Sequence, residues 1–168
     1  VFLYRDNFAL VERMHTGTRV PHSSFSFSTS TLYHVSRVVD GDTLDVENGG
    51  QEVRLRLIGI NTPETVDPRK PVECFGRKAS DHARALLLGQ SVYVATDPTQ
   101  GLHDKYGRTL AYVILQDGTL FNKQMIAEGY AHEYTHRFPY KYQTEFKARE
   151  RSAREDGRGL WASGICDK

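Results

Sequence analysis

The sequence predicts an α+β domain, a small five-stranded β-barrel carrying three helices. Three observations predict it. Residues 33–57 hold three strand-like runs with β-branched or period-two character separated by glycine turns, residues 74–88 switch to helical spacing, and two further strand-like runs are followed by two helical ones.

In the first run, 33–39, Val35, Val38 and Val39 favour a strand, and Asp40-Gly41 turns the chain into 43–47. Asn48-Gly49-Gly50 makes a hairpin turn into 52–57, where Val53, Leu55 and Leu57 share one face and Glu52, Arg54 and Arg56 the wet one. Ala79, Ala83, Leu86 and Leu87 form the apolar stripe of the first helix, which Gly89 stops. Strands at 91–96 and 109–115 flank a loop carrying Lys105 and Arg108. Asp117-Gly118 then leads to a short helix capped by Asn122, with Met125 and Ile126 inward and Gly129 at its end. The last helix, 140–156, buries Tyr142, Phe146, the stem of Arg149 and Ala153 before Gly157. Residues 1–31, with the serine-rich stretch 23–30, read as an arm or linker ahead of a domain at 32–168.

A chain of 168 residues supports one core rather than two comfortable domains. Its 9 Tyr, 8 Phe and 1 Trp among many aliphatics argue against disorder. With 22 Lys plus Arg against 21 Asp plus Glu there is no overall positive field, so attraction to phosphate has to be local. Cys74 and Cys166 are the only cysteines, too far apart for a zinc motif; a bridge from the tail to the first long helix and two free thiols both remain open. No run is long enough to span a membrane, and the first residues lack a signal-peptide pattern.

The chemistry concentrates in three segments. Asp42 leaves a tight Asp-Gly-Asp turn where its carboxylate suits a hard cation. Asn61 and the Thr62 carbonyl come at the end of the same hairpin's return strand and reach the same point, with Pro63 restricting the chain direction. Glu64 follows, suited to holding a water against phosphorus. Arg56 on the polar face and Arg108 after a glycine supply planar guanidiniums for the charge of a five-coordinate phosphorus, whereas Arg54 faces solvent. Lys105 and Tyr106 suit a phosphate next door. The aromatic and basic stretch containing Tyr130, Tyr134, Phe138, Tyr140 and Tyr142 suits base stacking. His132 and His136 are four apart without a helical pattern and do not read as a metal site.

Together, Asp40-Gly41-Asp42-Thr43, the run from Arg56 to Glu64, and Asp104-Lys105-Tyr106-Gly107-Arg108 resemble the staphylococcal nuclease family, over about residues 33–161. The resemblance implies an OB-type five-stranded barrel with three helices, Ca²⁺ as cofactor, and a secreted or periplasmic monomer. Its implied activity is hydrolysis of DNA and RNA, preferably single-stranded, to 3′-phosphate ends. It casts Asp42, Asn61 and the Thr62 carbonyl as metal ligands, Glu64 as base or water-orienting group, and Arg56 and Arg108 as phosphate clamps. Lys105 and Tyr106 match phosphate contacts, and groove aromatics fall within 130–142. Asn61 stands where an aspartate is usual in the family. The other reading is a catalytically impaired barrel that only binds nucleic acid or protein.

Overall fold

The computed structural model describes residues 30–166. The expected arm at 1–31 lies outside them except for Ser30 and Thr31. Five strands close a barrel in the order β1 (Leu32–Asp40), β2 (Thr43–Asn48), β3 (Gln51–Leu57), β6 (Thr109–Ile114), β5 (Ser91–Ala95) and back to β1. All neighbours are antiparallel except β3 and β6. Alternation is the cause: Val35, Leu44, Val46, Leu55, Leu57, Val92, Val94 and Val113 are buried. Gly49 and Gly50, both at positive φ (59° and 79°), form the two-residue turn that sets Asn48 opposite Gln51.

Three helices cover the barrel: α1 (Gly76–Leu87), which packs on β1, α2 (Phe121–Ala127), which packs on β6, and α3 (Gln143–Glu155), which packs on α2. A two-stranded ribbon of β4 (Ile60–Asn61) and β7 (His132–Glu133) lies beside the barrel. Its strands are only two residues long, below the length at which alternation is detectable from sequence.

Two local expectations are corrected. Asn122 does not cap α2, whose N-cap is Leu120; its fully buried amide accepts from Val113 N (3.0 Å) and donates to Ile58 O (2.9 Å), tying β6 to the end of β3. On α3, Arg149 is exposed, while Glu150 is the half-buried neighbour that accepts from Glu133 N at 3.1 Å. Cys74 and Cys166 are joined by a disulfide with Cα atoms 5.8 Å apart, fastening the C-terminal segment to the residues just before α1.

Candidate active site

The β1–β2 turn meets the end of β3. Register makes Thr43, Arg56 and Leu110 one row across β2, β3 and β6, so the turn carrying Asp42, the arginine of β3 and the loop entering β6 open on one region of the barrel. Two β-bulges in β1, the second between Val38 and Asp40, bend this strand into the turn.

Asp42 is 7% exposed and both its oxygens are bonded: Oδ2 accepts from Thr62 N (2.9 Å) and Oδ1 from Thr43 Oγ1 (3.0 Å). The Arg56 guanidinium lies 3.2 Å from Asp42 Oδ2 and donates to Leu57 O (2.8 Å), Ile60 O (2.9 Å) and Asn61 Oδ1 (3.1 Å). The structure thus brings Asp42, Arg56, Asn61 and Thr62 together. Arg54 is held elsewhere, in a two-pronged pair with buried Asp45 at 2.7 and 2.9 Å. Adjacent wet-face arginines of β3 therefore do different work.

Asp40 belongs to the same cluster. It is 5% exposed, and its Oδ1 accepts from Gly41 N (2.8 Å) and Thr65 Oγ1 (2.9 Å). Burial pushes its carboxyl above the ordinary value; those two hydrogen bonds pull it down, and the charges of Asp42 and Glu64 push it up again. Thr65, the residue after Glu64, thus ties the Glu64 segment to the Asp40-Gly41-Asp42 turn. The signal for Asp40 was present in sequence, as the first carboxylate of Asp-Gly-Asp.

Glu64 is half-buried, and its Oε1 accepts from Val66 N (2.6 Å) and Asp67 N (3.0 Å), so the carboxylate is oriented by its own loop. Arg108 donates through Nε and Nη2 to Asp104 Oδ2, both at 2.7 Å. Asp104 Oδ1 also accepts from Tyr106 N (2.9 Å) and Arg108 N (3.0 Å), which makes Asp104 the organiser of this loop. Burial alone raises the Asp104 carboxyl, but bonds from the Arg108 side chain, Arg108 N and Tyr106 N outweigh it and hold it below the ordinary range. The Tyr106 ring, 71% exposed, has Lys105 Nζ at 4.9 Å and Arg108 Cζ at 5.3 Å from its centre, so cation and aromatic face outward as a unit.

The aromatic stretch divides. Tyr134 is 45% exposed, and its amide bonds to Gly59 O (3.0 Å) beside the β4–β7 ribbon, where Asn61 pairs with His132. Tyr140 corrects the expectation of a stacking surface, while Tyr130 is half-buried. Tyr130 stacks on His82 at 3.9 Å and packs near Phe75 at 5.4 Å, against α1. Tyr140 is 4% exposed, its hydroxyl donating to Glu133 Oε1 (2.9 Å), so no base can reach its ring.

Among the described residues, no three Asp, Glu, His or Cys side chains converge into a metal site. The donors present are nevertheless oxygens: two buried carboxylates, the Asn61 amide, and Thr62, whose Oγ1 is buried without a hydrogen-bond partner. Hard oxygen donors around excess negative charge fit Ca²⁺ completed by backbone, water and phosphate oxygens rather than a nitrogen- or sulfur-seeking metal. One departure is that Asn61 Oδ1 already faces Arg56.

A family model described as staphylococcal nuclease homologue matches residues 54–163. The chain is 38% identical to a thermonuclease of Staphylococcus hyicus over 84% of its length and 82% of that protein. It is 40% identical to a thermonuclease of Staphylococcus intermedius over 77% of this chain and 75% of that one. An uncharacterized endonuclease of Escherichia coli is 34% identical over 85% of this chain and 88% of its own. With the OB-type barrel and the matched span, the chain belongs to the staphylococcal nuclease homologue family.

Proposed function

We propose that this chain is a Ca²⁺-dependent nuclease that hydrolyses phosphodiester bonds of DNA and RNA, preferably single-stranded, to 3′-phosphate ends. The observation that carries the reading is Arg56 lying 3.2 Å from Asp42, which sets a phosphate-binding guanidinium against the buried carboxylate of an oxygen-rich cluster. The names of the relatives, thermonuclease and endonuclease, support the same class of reaction.

Asp42, the Thr62 carbonyl and Asn61 would hold the cation, with Asp40 adding negative charge beside them. When bound, Ca²⁺ supplies Lewis-acid polarisation of a phosphoryl oxygen and a favourable site for hydroxide. Glu64, with Oε1 held by two backbone N–H groups, presents its other oxygen to a water and takes or orients its proton for in-line attack on phosphorus. Arg56 and Arg108 neutralise charge on the equatorial oxygens as the bond to the 5′-oxygen breaks, leaving phosphate on the 3′ side. Arg108 exchanges Asp104 for phosphate or bridges both. Lys105, Tyr106 and Tyr134 hold the flanking strand by charge and stacking.

The protein acts as a monomer, and the Cys74–Cys166 bond supports an oxidising compartment, outside the cell or in a periplasm. No helix among the described residues is long and apolar enough to cross a membrane.

The test is incubation with a short single-stranded DNA in calcium or in chelator, with end analysis of the products. Calcium-dependent fragments bearing 3′-phosphate are expected. Retarded but uncut DNA in calcium would overturn hydrolysis in favour of the second reading, a binding barrel, which the engagement of Asn61 Oδ1 by Arg56 favours.

A further inference from the structure

Resting on the role proposed above for Glu64, we infer that Glu73 is a positioning residue for Glu64, itself held in place by the Cys74–Cys166 disulfide. The two glutamates are nine residues apart and exchange two hydrogen bonds. Glu64 N donates to Glu73 Oε2 (3.0 Å), and Glu73 N donates to Glu64 O (2.9 Å). The first uses a side chain and is specific to Glu73; the second survives any substitution there except proline.

These bonds close the loop 64–73 at its neck. On the other side, the Glu64 carboxylate is bound to Val66 N and Asp67 N within that loop. Backbone and carboxylate of Glu64 are thus fixed by opposite parts of one closed segment. Rotation at the neck moves the carboxylate relative to Asp42, because Thr62, two residues earlier, is anchored to Asp42 Oδ2.

Glu73 is in turn immobilised from its C-terminal side. Its carbonyl accepts from Gly76 N (3.0 Å), and α1 starts so close to the loop that a Cβ on Gly76 would stand 3.0 Å from Pro63 O and 3.2 Å from Glu64 O. Phe75 has φ 68°, unique among the described non-glycine residues, and its ring packs on Tyr130 at 5.4 Å. A left-handed phenylalanine is strained, so the chain around it must be held by other contacts. Cys74, between Phe75 and Glu73, supplies one through its bond to Cys166. The disulfide therefore braces the residue that braces the base, and it does so from the far end of the chain.

The experiment is steady-state hydrolysis of a single-stranded oligonucleotide in calcium by the full chain and its Glu73→Ala, Glu73→Gln, Cys166→Ser, Glu64→Ala and Glu64→Ala/Glu73→Ala variants, each with its thermal midpoint. Glu73→Ala is expected to lower kcat about tenfold with KM little changed, the size of effect typical of residues supporting an active-site group. Glu73→Gln retains most of kcat because its amide oxygen still accepts from Glu64 N. Cys166→Ser lowers kcat in the same direction without touching substrate. In the Glu64→Ala background, Glu73→Ala costs nothing further. Wild-type kcat in Glu73→Ala, or an equal loss in the Glu64→Ala background, overturns the positioning role while leaving the nuclease reading intact. If Glu64→Ala itself turns over like wild type, it is the assignment of Glu64 that fails, and this inference with it.

Discussion

Arg56 and Asp42 form a 3.2 Å ion pair in which the arginine is also fixed by the carbonyls of Leu57 and Ile60. Backbone bonds thus set the guanidinium's orientation before any substrate arrives. Preorganised charge of this kind acts on the transition state without the cost of reorienting during reaction.

Arg56→Ala is accordingly expected to lower kcat by about 10²–10³-fold. Arg56→Lys recovers little of it, because a point charge cannot serve two carbonyls, a carboxylate and a phosphate together. Rapid-quench turnover of a short DNA measures both, and a lysine variant near wild type would remove the planar fork from the argument. Arg108→Ala is expected to fall in the same range, judged in the same assay.

Asn61→Asp places a carboxylate beside Arg56 and next to the Asp42 cluster. Calcium affinity, read by titration calorimetry without substrate, is expected to rise about tenfold, since charge count tunes oxygen sites strongly. Unchanged affinity would mean that position 61 serves only Arg56.

Tyr134 and Tyr140 are expected to respond oppositely. Tyr134→Ala raises KM for single-stranded DNA by about tenfold, within the range for a lost base stack, and leaves the thermal midpoint nearly unchanged. Tyr140→Phe leaves KM alone and costs about 1 kcal/mol of stability through the lost bond to Glu133. Chemical denaturation and initial-rate kinetics separate the two.

Asp97 links acid to unfolding. It is 3% exposed and accepts from Lys141 N (2.8 Å), Thr99 Oγ1 (2.7 Å) and Tyr112 Oη (2.8 Å). Burial pushes its carboxyl up, but these bonds and that from Thr99 N outweigh it and leave it below the ordinary value. A depressed carboxylate stabilises the fold fully above its unfolded pKa, and that contribution is lost as pH falls through the lower folded value. Wild type is therefore expected to exceed Asp97→Asn in stability at neutral pH, with the gap closing below about pH 4. Denaturant midpoints across pH 2–7 check this; a gap independent of pH would assign the effect to hydrogen-bond geometry alone.

Most of the barrel was legible because its strands alternate. Val53, Leu55 and Leu57 announce their face, and Gly49-Gly50 announces the turn. The β4–β7 ribbon was not, since Asn61 opposite His132 is a pairing between short segments distant in sequence, with no local period. Of the site, Asp42, Arg56, Asn61 and Thr62 were legible as oxygen and guanidinium groups at two ends of one hairpin, and they do meet. Arg54 and Arg56 share a face, and the sequence sets Arg54 toward solvent; its pairing with buried Asp45 came from a neighbouring strand and was not legible. Tyr140 and Tyr134 are indistinguishable as letters, because burial of Tyr140 depends on packing against Gly59, far away in sequence, as well as Phe146. Asn122 looked like a cap because asparagine favours caps, but tertiary demand for a buried donor and acceptor won.

The ribbon that pairs Asn61 with His132 has a temporal consequence. A nascent chain carries Asp42, Arg56 and Glu64 long before the residues that hold Asn61 leave the ribosome, and β6, which closes the barrel beside Arg56, also comes late. Half-made copies thus carry the proposed site residues without their arrangement. Assembly of the Asp42, Arg56 and Asn61 cluster therefore waits on strands that are made long after its own residues.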